Sequence, residues 1–231
     1  MSRRIGFFLS AWACGLMAAI DADALTFDRN VPKETQEQLT SDLASLEGIY
    51  GATASALHTT VFGEVDGSVY SNWFRSRVLR VGYDSSSVGG AVAYVSPFSD
   101  PSRIVLTANY TRFSHPQIAR LMIIFHEARH TERQNSYWPH SRCPRLFVDE
   151  AGREIKSIWT GLPLAGESAC DSQIGGAYAS TVIMLGNISL YCETCTEKVR
   201  ADAELYARDQ LKRVINREAA KQIKEDLHVA L

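Results

Sequence analysis

The chain has 231 residues, with 24 Lys and Arg against 26 Asp and Glu, a formal net charge of −2 and a pI near 6.3. That balance leaves no basic stripe of the kind nucleic-acid binding needs, so nucleic acid is set aside as a partner. The length suffices for one domain with a substantial core.

Arg3 and Arg4 open the chain, Ile5 to Ile20 is almost wholly apolar, and Ala22-Asp23-Ala24 closes the run with small residues in an A-x-A arrangement. Together these read as a signal peptide over residues 1–24, leaving Leu25 to Leu231 as a single exported domain, periplasmic or secreted, with no membrane span after cleavage. Cleavage removes Cys14, and Cys143, Cys170, Cys192 and Cys195 remain. Four cysteines in an exported chain favour disulfide bonds and allow three connectivities; the pairing expected here is Cys143 with Cys170 and Cys192 with Cys195. Cys192-Glu193-Thr194-Cys195 also has thiol-exchange spacing, but the preceding residues look helical rather than like the strand such a motif follows.

Leu39, Leu43, Leu46 and Ile49 recur at helical spacing between Pro32 and Tyr50, and Gly51 stops the pattern. From about Ser55 to Thr111 the residues turn β-branched and aromatic between turn signals such as Asp66-Gly67. "SRVLRVGY", "AVAYV" and "RIVLTANYT" are read as strands of a small antiparallel sheet. His115-Pro116 opens a helix over Gln117 to about Glu132. A loop is expected over Asn135 to Pro144, a short helix over Val148 to Thr160 and an apolar helix beyond "GLPLAGESACDSQIGG". A long charged helix from Glu197 to roughly Leu227, with Val199, Ala203, Tyr206, Val214 and Leu227 as its apolar side, closes the chain. The fold class expected is α+β.

The helix from Gln117 carries "IIFHEARHTER", Ile123 to Arg133. Residues four apart stand on one helix face, so His126 and His130 can present imidazoles to one point, which is what Zn²⁺ asks of two ligands. Glu127 lies beside that face, where a carboxylate can act as general base on zinc-activated water. The competing reading, two hydrogen-bonded core histidines, leaves a glutamate buried beside them without a cation, which is costly.

On this motif the chain resembles the zincin metallopeptidases. "HEARHT", "HSRCP" and "ACDSQIGGAYA" taken together look like a group of exported bacterial proteins carrying the same motif. The resemblance implies one Zn²⁺ per chain and a peptide or protein substrate in the cell envelope or outside the cell. It also implies a third ligand downstream, for which three residues compete. Asp171, with Tyr178 seven residues on, resembles the ligand of the aspartate zincins and is preferred. Glu167 with Asp171 four residues on resembles the glutamate zincins, and His140 is like the third histidine of the metzincins, at longer spacing and with Arg133 where they have glycine. Tyr178 is expected to stabilise an oxyanion, and "IVLTANYT" offers a strand to which a substrate peptide could add. Arg129 and Glu132 depart from the family pattern, which normally has an uncharged and a hydrophobic residue there. They keep a second function in view, a metal-stabilised binding or envelope-assembly protein without turnover.

Overall fold

The computed structural model describes residues 25–86, 90–112, 114–149 and 151–228. The expected signal peptide lies outside them. The fold is α+β, as its sequence pattern implies, with a four-stranded sheet on one side of the motif helix and the C-terminal helices on the other.

The sheet is mixed rather than antiparallel. Strands β1 (Thr26–Phe27), β2 (Arg80–Asp84), β3 (Ala93–Ser96) and β4 (Asp100–Thr107) lie in the order β1-β2-β4-β3. β1 runs parallel to β2 and β2 to β4, and only β3, on the edge, is antiparallel to its neighbour. Ile104, Val105 and Leu106 are all buried. A continuous apolar run of this kind belongs to a strand covered on both faces, as parallel strands usually are.

Part of the expected β region is helical. Between helix α1 (Lys33–Ala44) and β2 stand α2 (Ala56–Val61) and α3 (Gly67–Arg75). Asp66-Gly67 is a helix start and not a hairpin turn: the Asp66 carboxylate accepts hydrogen bonds from the Ser68 and Val69 amides. The aromatics that suggested strands instead pack on Phe125, with the Phe62, Tyr70, Trp73 and Phe74 ring centres 5.4–6.2 Å from its own. Burying a side chain of that size stabilises by about 1.5–3 kcal/mol, and here it fixes the residue directly before His126.

A short helix α4 (Asn109–Arg112) follows β4, and the motif helix α5 spans Gln117–Arg129. The helix expected over Val148 to Thr160 is not formed by the described residues. Isolated bridges Val148↔Glu154 and Lys156↔Pro163 stand there, and Gly152 and Gly161 turn the chain at φ 75° and 70°. Helix α6 (Ala177–Tyr191) is buried along most of its length. The long charged helix is two, α7 (Glu197–Leu211) and α8 (Arg217–Asp226). Between them the chain leaves the helix so that Val214 can pair with Asp171, and Asn216 caps α8 by accepting from the Glu218 and Ala219 amides. Cys143 is bonded to Cys170 and Cys192 to Cys195, in the expected pairing. These bonds are compatible with an oxidising compartment. No helix among the described residues is long and apolar enough to cross a membrane.

Candidate metal centre

Helix α5 is buried on nearly every side, and Ile124, Phe125 and Ala128 are fully buried between sheet and α6. Its last turn brings His126 and Glu127 to the floor of a cleft of about 1010 Å³, with His130 capping the helix at its end. The cleft is roofed by β3 and by the loops that carry His140, Leu162 and Glu167. A second groove of about 730 Å³, lined by α1 and α3, contains none of the three histidines.

His126, His130 and His140 form a group able to hold a metal ion. Their Nε2 atoms stand 3.1 Å (126 to 140), 3.3 Å (126 to 130) and 3.0 Å (130 to 140) apart. Tetrahedral nitrogen ligands about 2.0–2.1 Å from one ion have edges of about 3.3 Å. The tautomers agree with that use. His130 Nδ1 faces the Tyr137 carbonyl at 2.9 Å and His140 Nδ1 faces Asp171 Oδ1 at 3.2 Å. Both partners only accept, so the protons belong on Nδ1 and the Nε2 atoms present lone pairs. Lone pairs directed at one point repel unless a cation lies between them. Burial, followed by the neighbouring histidines, pushes His126 well below its ordinary pKa and His130 down to about 4, so both rings are neutral.

Asp171, preferred from the sequence as third ligand, stands one shell further out, and His140 takes the position beside His126 and His130. Asp171 does two jobs at once: Oδ1 receives the His140 Nδ1 proton, and Oδ2 accepts from the Ala179 amide in the first turn of α6. Gly176 makes room for it, since a Cβ there would lie 2.2 Å from Asp171 Oδ2. Glu167 is exposed at the cleft rim, and its carbonyl accepts from the Cys143 amide.

Arg129 and Glu132 point away from the metal-binding edge and build the turn that brings His140 back. Glu132 Oε1 receives Arg77 and Arg129 at 2.8 and 2.6 Å, and Oε2 receives Asn135 and Trp138 at 2.7 and 2.8 Å. Burial alone would raise the Glu132 carboxyl, but these donors hold it below its usual range. Arg129 also donates from Nε and Nη2 to the Gly175 carbonyl at the approach to α6. The turn is strained: Ser136, Tyr137 and Trp138 have φ of 52°, 63° and 46°, a region L residues enter at a cost. Nothing in the residue types of Arg129 and Glu132 marks them as supports for a ligand loop, so this part of the site was not legible beforehand.

Glu127 is 8% exposed, and no hydrogen bond reaches its carboxylate among the described residues. Burial pushes it up to about 8; a cation on the adjacent histidines would favour the carboxylate. The Tyr178 ring lies against His126 and His140, with centres 4.3 and 4.7 Å apart, and its hydroxyl accepts from Arg213 Nη1 at 2.9 Å. β4 is not open to a substrate strand because β2 and β3 occupy both its edges. The strand that lines the cleft and has an edge unpaired among the described residues is β3. Compared with known proteins, the chain matches no family model, no curated protein and no solved structure.

Proposed function

We propose that the chain is an exported zinc-dependent hydrolase, a metallopeptidase of the envelope or secreted space, with His126, His130 and His140 as ligands. The observation that carries this reading is the convergence of three Nε2 lone pairs beside a buried carboxylate that has no hydrogen-bond partner among the described residues. Zinc suits a site of three imidazoles with an open position better than the harder cations do. When bound, such an ion polarises a carbonyl and acidifies water.

The protein's own residues supply the rest. Glu127 takes a proton from water in the cleft and returns it to the leaving amine. Asp171 holds His140 by its Nδ1 proton, which fixes the ring and raises its basicity as a ligand. Tyr178 accepts from Arg213 and so keeps its own O–H free to donate to a developing oxyanion. The free edge of β3 gives an extended peptide main-chain partners across the cleft. The apolar run at residues 5–20, the A-x-A site and the two disulfides support export.

Elemental mass spectrometry of protein purified without added metal, followed by cleavage of a mixed peptide library, tests the proposal. About one zinc per chain is expected. Glu127→Gln should keep that zinc and lower cleavage by about 10²–10⁴-fold. A folded chain that takes up no zinc would overturn the reading, and zinc uptake with no peptide cleaved would leave a metal-stabilised binding protein.

A further inference from the structure

Arg213 is a buried cation in the cleft that neither the histidine site nor the Asp171 contact uses. It is 6% exposed, its Nη1 donates to Tyr178, its guanidinium carbon lies 4.7 Å from the Tyr178 ring centre, and its buried Nε has no acceptor among the described residues. Among the described residues no carboxylate forms an ion pair with it; Asp209, four residues earlier, pairs with Lys212 at 3.7 Å. The buried Asp209 carboxylate feels the Arg213 charge without coming within ion-pair distance of it, so the guanidinium keeps a buried donor, Nε, with no acceptor among the described residues, and a buried polar group in that condition is costly.

Its position is built and not incidental. The break between α7 and α8 places it there, and the main chain is pinned on both sides of Val214: the Arg213 carbonyl accepts from the Asp171 amide at 2.8 Å, and the Ile215 amide donates to the Asp171 carbonyl at 2.9 Å. One phenol ring separates the guanidinium from the histidine nitrogens. Arg213 lines the cleft beside the metal-binding nitrogens, while Asp209, the carboxylate that feels its charge, lies outside the lining.

We infer that Arg213 recognises a carboxylate of the substrate on a residue flanking the scissile bond; this rests on the peptidase reading above. In a peptide the anion is a carboxylate, either the free C-terminus or an Asp or Glu side chain. A guanidinium offers it paired, charge-assisted donors. Extended peptide advances about 3.4 Å per residue, so a group one tyrosine ring from the metal-binding nitrogens meets the first or second residue beyond the reacting carbonyl.

The test is calorimetric titration of the zinc-loaded Glu127→Gln chain, which holds peptides without turning them over, with three probes. N-acetyl-alanyl-alanine carries a terminal carboxylate, N-acetyl-alanyl-glutamic acid α-amide carries only a side-chain carboxylate, and N-acetyl-alanyl-alanine amide carries none. One acid should bind about 10- to 100-fold tighter than the amide, and which one identifies the source of the carboxylate. Adding Arg213→Met should erase the advantage at unchanged zinc content, and Arg213→Gln, which is polar and uncharged, decides the matter if the first variant does not fold. No advantage for either acid overturns the inference, as does an advantage that survives loss of Arg213, since the metal would then be binding the acid. Cleavage by the unaltered chain that ignores carboxylates overturns this inference and leaves the peptidase. Arg213-dependent acid binding with no cleavage of any peptide overturns the peptidase and leaves the anion site.

Discussion

His140 and Asp171 divide between them a role that the sequence offered to either. The acid stands on the far nitrogen of the imidazole, so its removal should loosen the ligand without deleting it. Asp171→Asn is expected to weaken zinc binding by about 10–100-fold, and His140→Ala to weaken it much more, as read by chelator competition. The reverse order would make Asp171 the ligand. Remote from the site, His58 donates from Nδ1 to the Gly63 carbonyl and accepts the Tyr70 hydroxyl at Nε2. Burial pushes its pKa down to about 4, against about 6.5 in an unfolded chain. Between those values the unfolded chain binds a proton that the fold refuses, so stability is full above about pH 6.5 and falls as the pH drops, levelling off below about 4. The loss amounts to up to about 3 kcal/mol. Denaturant unfolding of metal-free protein across that window should show a steeper decline than His58→Asn, which keeps the bond to Gly63; identical slopes would refute the assignment.

At the scale of elements, the motif helix was legible because its signals are local: Pro116 at the start, no breaker, and histidines four apart. Helices α2 and α3 were not, because aromatic and β-branched residues serve a helix packed on Phe125 as well as they serve a strand. The break after α7 left a faint trace, Asn216 with Glu218 two residues on, which is a helix-start signal masked by the charged pattern around it. The turn after α5 was illegible for a different reason. Its geometry depends on Glu132 collecting donors from Arg77, Arg129, Asn135 and Trp138, three of which lie within six residues but none of which announces the contact. Glu132→Ala would take the shared carboxylate from the Arg77 and Arg129 guanidinium groups, leaving the buried Arg129 with only the Gly175 carbonyl as acceptor among the described residues, and would release the left-handed turn. A destabilisation of about 3–5 kcal/mol is expected, together with lower zinc content, by denaturant unfolding and elemental analysis. Unchanged zinc occupancy would show that His140 holds its place without that support.

Over the whole molecule, the sequence carried the fold class, a disulfide pairing chosen from three connectivities, and two members of the histidine group, while His140 stood as one of three candidates until the chain was folded back. The Cys143–Cys170 bond joins the segment after His140 to the residue before Asp171, and the bridge from Asp171 to Val214 carries that link to α8. Three distant stretches of chain therefore meet at one residue, Asp171.

That meeting makes Asp171 a junction through which occupancy of the metal site can be sensed elsewhere. Its side chain holds His140 and the Ala179 amide, and its main chain exchanges hydrogen bonds with Arg213 and Ile215. Linkage is reciprocal, so whatever tightens the histidines also steadies the start of α6 and the joint between α7 and α8. Hydrogen exchange should register this directly, with the Ala179 and Ile215 amides slowing when zinc is added and amides of α2 unaffected. Uniform slowing over the whole chain would instead mean that the ion stabilises only the global fold. In the first case the histidine group is a receiver: a signal entering there leaves through the C-terminal helices.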